Sequence, residues 1–137
     1  MKFFKTTLVL ALLFLATNCS TKVEGSSEFH PDFKIAKSGF KKELKKEIDF
    51  EDLSIGTYYT KKNNITEERG LNLTFKNANQ EVYSTNEANK KADFIATQVN
   101  KYLLNLDNYD YVNIIFENEN EEGDVKKSTR ITIKREL

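Results

Sequence analysis

The chain holds one cysteine, one histidine and one proline in 137 residues, and no tryptophan. A single cysteine leaves no disulfide to form within the chain, so stability must come from an apolar core. Nucleophilic catalysis of the Ser-His or Cys-His type needs a histidine placed beside the nucleophile. The one histidine, His30, sits in a polar stretch and is read as a solvated bystander. GxGxxG, GxxxxGK[ST] and HExxH are all missing, and the five glycines are scattered. Dinucleotides, P-loop phosphates and zincin-type metals therefore lack support, and no cofactor or metal site is expected. An excess of either charge is missing too. Residues 1–18 hold two lysines and no acid, so the rest of the chain carries 19 bases against 21 acids. Without a basic stripe, nucleic acid is not an expected partner.

Long hydrophobic runs are scarce as well, with one exception near the N-terminus. Lys2 and Lys5 precede an aliphatic stretch from Leu8 to Ala16, followed by Thr17-Asn18-Cys19-Ser20. A charged start, a short apolar run and a small-residue exit have the layout of a secretion signal. The run of about nine residues is half of the ~20 that a bilayer-spanning helix needs. Cys19, the only thiol, follows it directly. Over its first twenty residues the chain resembles bacterial lipoproteins, with Ala16-Thr17-Asn18-Cys19 in the place of the lipobox. The resemblance implies a signal peptide over 1–18 and lipidation of Cys19. It further implies anchoring in the cell envelope, at the outer membrane, since Ser20 is not an acidic retention signal.

Residues 19–38 then read as the lipidated cysteine and a polar tether with Gly25-Ser26-Ser27 and Pro31, leading into a small domain over 39–137. Phe40, Leu44 and Ile48 recur at helical spacing among lysines and glutamates, which predicts a short amphipathic helix. Ser54–Thr60 is β-branched and aromatic, and Leu71, Leu73 and Phe75 alternate with polar residues, which predicts two strands joined by a polar loop over 61–70. Ser84 with Glu87 three residues on has the form of a capping box. After it Ala88, Ala92, Ile95, Val99 and Leu103 step by three or four, which predicts a helix over about 86–105. Val112, Ile114 and Phe116 alternate next, then a polar loop over 118–127, then Ile131 and Ile133. The expected fold is α+β: a two-layer helix-hairpin-helix-hairpin domain of about four strands, with the helices packed on one face.

The acidic stretch Glu117–Asp124 resembles a calcium loop only in part. With Gly123 in the sixth position the twelfth is Thr129, where a bidentate glutamate is needed. It reads as a solvated hairpin tip. The remaining candidates are aromatic. Tyr58, Tyr59, Tyr109 and Tyr111 cluster near strand starts and turns, and exposed tyrosine supplies contact area at low entropic cost. They form the expected binding surface. The functional expectation is a non-enzymatic module, held at the membrane through lipid on Cys19, that binds a protein or glycan. An accessory envelope subunit docking through the sheet edge at Thr129–Arg135 comes second, and a small carboxylate-dependent hydrolase last.

Overall fold

The computed structural model describes residues 22–25, 30–63, 65–122 and 125–137. Cys19 and the expected signal over 1–18 lie outside the described residues. Two strands dominate the centre: β3 (Ile65–Lys76) and β4 (Tyr111–Glu122). Side chains alternate across a strand, so Leu71, Leu73 and Phe75 share one face of β3 while Val112, Ile114 and Phe116 share one face of β4. The two stripes meet in parallel register, Leu71 beside Val112, Leu73 beside Ile114 and Phe75 beside Phe116. All six side chains are fully buried. Antiparallel partners flank this pair: β2 (Asp52–Lys62) beside β3, and β5 (Val125–Glu136) beside β4. These four strands form one mixed sheet, and a short β1 (Lys22–Gly25) extends it along the outer edge of β2.

Two helices close the core against this sheet. In α1 (Lys37–Leu44), Phe40 and Leu44 lie one turn apart and are both completely buried. Ile48 and Phe50 follow in the non-helical exit and complete the same cluster, with the Phe50 ring edge-on to Phe75 at 5.0 Å. In α2 (Thr85–Tyr102) the buried residues are Ala88, Ala92, Ile95, Ala96 and Val99, a stripe of helical period. Ser84 caps α2 by accepting from the Glu87 N–H at 3.4 Å. On the sheet side, Arg135 of β5 reaches back to α2, with Nε 2.7 Å from Asp93 Oδ1 and Nη2 2.8 Å from Asn89 Oδ1.

The domain is α+β, but the expected helix-hairpin-helix-hairpin arrangement is not what forms. The two hairpins do not stand as separate units. Their inner strands β3 and β4 pair in parallel, and the chain between them crosses over through α2, so the centre of the sheet is a β-α-β unit. Parallel strands need such a crossover. The chain before α1 adds β1 as well, which the expected order omitted.

The segments 61–70 and 118–127, expected as polar loops, are mostly strand. The first register pair of β3 with β4 is Gly70 with Tyr111, and the last is Lys76 with Glu117. Ile65–Arg69 of β3 therefore overhangs β4 at one end, and Asn118–Glu122 of β4 overhangs β3 at the other. No helix stripe sits over these ends, so nothing imposes an apolar alternation on them. Cross-strand partners such as Asn118 with Thr129 and Glu119 with Ser128 replace it. The β2–β3 ladder also steps by one residue between Thr60 and Lys61, leaving Glu67 as the extra residue of a bulge.

Parts of the segment read as a tether have tertiary partners. Beyond β1, the chain from His30 to Ile35 lies against the exit of α2. The Lys34 N–H donates to the Tyr102 carbonyl (2.8 Å), and the Leu104 N–H to the Asp32 carbonyl (2.7 Å). The Asn105 side chain bridges both directions: Oδ1 accepts from the Asp32 N–H and Nδ2 donates to the His30 carbonyl, each at 2.9 Å. Phe33 packs on Phe40 with centroids 4.6 Å apart.

Candidate binding surface

The helices cover one face of the sheet, and the alternate residues make up the other, where Gly70, Tyr111 and Ile115 are buried as well. Laterally paired residues point to the same side, so the registers arrange this second face in rows. Tyr58, Gly70, Tyr111 and Glu136 form one row, and Gly56, Asn72, Asn113 and Lys134 the next. Ser54, Thr74, Ile115 and Thr132 form a third.

Gly70 is the pivot of this face. It is buried because the Tyr111 ring reaches over it; a Cβ there would stand 2.5 Å from Tyr111 Cε2. On its other side stands Tyr58, half-buried. Lys134 covers Tyr111 from above with Nζ 4.0 Å from the ring centroid, a cation–π geometry. The same Nζ lies 3.7 Å from Glu136 and 4.0 Å from Glu68. One row along, Asn113 Nδ2 donates to Asn72 Oδ1 at 2.9 Å and cross-links the two parallel strands. That bond uses one donor and one acceptor of a pair of amides that each have more to offer. The face thus offers the half-buried Tyr58, two amides and small hydroxyl-bearing residues, with the buried Tyr111 ring as their support, which suits recognition through hydrogen bonds more than through aromatic contact area.

The four tyrosines expected to form a surface are divided by the fold. Tyr58 and Tyr111 come together on the open face as neighbours of Gly70, but only Tyr58 is part-exposed there; Tyr111 is as buried as Tyr109. Tyr59 points to the opposite side, in register with Arg69, and its ring carries Lys61 Nζ at 4.9 Å. Tyr109 is buried in the helix-side core, where loss of solvent pushes its phenol above the ordinary value. Gly70, Asn72, Asn113 and Lys134 were missed. Their signal is weak in a sequence, because a polar residue in alternation marks only a solvated face until the neighbouring strand is known.

Two hollows lie elsewhere. One of about 370 Å³ runs beside α1 between Lys37, Ser38, Lys41 and Asp52. Lys41 Nζ is 3.1 Å from Asp52 Oδ1, and this hydrogen bond holds the carboxyl below its ordinary range. The other, of about 260 Å³, is lined by Thr66, Glu67, Arg69, Asp107, Asn108 and Asp110. Asp110 is tied into the backbone there: Oδ2 accepts from the Arg69 N–H at 2.7 Å, and its own N–H donates to the Arg69 carbonyl at 2.8 Å. Asp110 thus serves the strand junction, and among the described residues no three His, Cys, Asp or Glu side chains are grouped to hold a metal ion.

Among the described residues no helix is long and apolar enough to cross a membrane. No protein-family model matches this chain, and no curated protein or solved structure matches it either.

Proposed function

We propose that this chain is a lipid-anchored protein of the bacterial cell envelope whose α+β domain is a non-catalytic binding module. The anchor is Cys19, a diacylglyceryl-modified residue placed directly after the apolar run, and the outer membrane is its destination. Two or more acyl chains suffice for stable anchoring, since each buried CH₂ contributes about 0.8 kcal/mol. The partner is a protein or glycan outside the bilayer, held by the open face of the sheet.

The observation that carries this reading is the row Tyr58–Gly70–Tyr111. Half-buried Tyr58 and the buried Tyr111 ring, braced by Lys134, flank a buried glycine beside an amide pair on a face that no described helix covers. Docking through the edge strand β5 is less favoured by its composition. Lys127, Arg130, Lys134 and Arg135 lie along it, and basic residues are what natural sheets use to blunt an edge.

Two experiments test the two halves. Cys19→Ser moves the protein from the membrane to the soluble fraction and abolishes metabolic fatty-acid labelling; a variant that stays membrane-bound overturns the anchor. Affinity capture from detergent-solubilised membranes retrieves a stoichiometric partner with the native chain, and Tyr58→Ala together with Asn113→Ala loses it. Capture unaffected by both changes, but lost on Thr132→Pro, would move the interface from the face to the edge.

A further inference from the structure

We infer that the end of the β2–β3 hairpin marked by Lys61, Lys62 and Ile65 is the membrane-contacting end of the domain and rests on anionic phospholipid; this builds on lipidation of Cys19. The first support is chain geometry. Strand β1 enters the sheet at this tip, with Lys22 opposite Lys62, and runs away from it to Gly25 opposite Tyr59. Only three peptide units separate Cys19 from Lys22, and a fully extended chain spans at most about 11 Å over them. Adding the ~5 Å between paired strands, an anchored Cys19 lies within about 16 Å of the Lys62 backbone. A long flexible tether would have left the orientation free; pairing of β1 removes that freedom.

The second support is exposed apolar surface. Among the described residues two large hydrophobic side chains stand well out in solvent, Ile65 at 70 % and Leu104 at 56 % exposure. Ile65 is at the hairpin tip, opposite Lys62. Leu104 is on the exit of α2 that leads into β4, at the same end of the sheet. An isolated apolar side chain needs no explanation by itself. Two at the end where the anchor must attach gain an apolar environment when that end meets the headgroup–acyl boundary.

Charge is the third. Lys61 and Lys62 form the last register pairs before the turn, and each lysine brought to an anionic surface strengthens attachment about fivefold. Acids also stand at this end, set back from the lysines: Glu67 in the bulge, Asp107 and Asp110 around the same hollow, and Glu68 within 4.0 Å of Lys134. The β4–β5 ladder with Glu119 overhangs the opposite end of the sheet, away from the lipid. In this pose the open face stands upright from the bilayer, reachable by a partner.

The test uses full-length lipidated protein in vesicles of phosphatidylethanolamine and phosphatidylglycerol. The sulfur of Cys19 is blocked by its lipid, so Ile65→Cys introduces the only thiol for a fluorescent label; Ser128→Cys, at the opposite end, is the comparison. Headgroup-nitroxide lipid is expected to quench the label at position 65 several-fold more than the label at 128. Inserting a Gly/Ser spacer of about ten residues between Ser20 and Thr21 adds roughly 17 Å of reach and removes the difference. Equal quenching at the two positions on a chain with the lipid mass increment overturns the orientation alone. A chain without that increment overturns the lipid reading, and the orientation with it.

Discussion

The end of the Tyr111 ring lies over the backbone of Gly70, so close that a Cβ at position 70 would stand 2.5 Å from Cε2 and 2.6 Å from Cζ. Gly70 is therefore chosen for space, not for an unusual backbone conformation. Gly70→Ala must displace a buried ring and is expected to cost about 1–3 kcal/mol, as overpacking does. Denaturant unfolding measures it. With Tyr111→Ala already in place the same change should be nearly free, and a double-mutant cycle that shows no coupling would mean the ring yields without resistance.

Tyr83 presents the opposite case. Its hydroxyl is buried with no hydrogen-bond partner among the described residues, and burial first, then the charge of Glu117, push the phenol above its ordinary value of 10.0. Removing an unsatisfied hydroxyl is neutral or stabilising, so Tyr83→Phe should gain up to about 1 kcal/mol. The pH dependence has a definite sign. A folded value above the unfolded one means the contribution is intact below about pH 10 and is lost as pH rises past it. Tyr83→Phe should flatten that alkaline loss, leaving the part due to Tyr109.

Asn105 pins the chain ahead of α1 by giving one hydrogen bond to the His30 carbonyl and taking one from Asp32, both 2.9 Å. Asn105→Ala removes both and should lower stability by about 1–2 kcal/mol. The local readout is amide exchange at Lys34 and Leu104, whose backbone bonds join the same two segments. Exchange there should accelerate more than in the core strands.

The overhanging hairpin ends should open independently of the centre. Leu71–Phe75 and Val112–Phe116 are paired in the middle of the sheet beneath the helices, whereas Asn118–Glu122 pairs in the sheet with β5 and otherwise has one bond, from the Glu119 N–H to Asn77 Oδ1 at 3.3 Å, among the described residues. Native-state hydrogen exchange should show Leu73 and Ile114 near the global limit. Amides over 118–122 should exchange at least about 100-fold faster. Uniform protection would show that the overhang is held by something beyond its ladder.

Local periodicity determined the elements that face the core. Leu71, Leu73 and Phe75 at period two, Val112, Ile114 and Phe116 likewise, and the three-four steps from Ala88 to Val99 each state a strand or a helix without reference to anything distant. Ser84 and Glu87 marked the start of α2 because a cap is a local hydrogen bond. The overhangs resemble loops in sequence because an exposed ladder needs no apolar alternation, so charged strands and charged loops look alike along the chain.

Pairing across the chain had no such signature. That β3 lies parallel to β4 follows from two matched apolar stripes under α2, a property of whole faces. The same decision placed Tyr58 and Tyr111 on either side of Gly70 and sent Tyr59 and Tyr109 elsewhere. A one-residue step in a strand reverses the face, so tyrosines adjacent in sequence cannot share one. The sequence by itself determined the α+β class and the buried half of each element, because burial patterns are written at short range. Only the tertiary structure decided which strands are neighbours, and with that the composition of the open face, because those contacts join residues some forty positions apart.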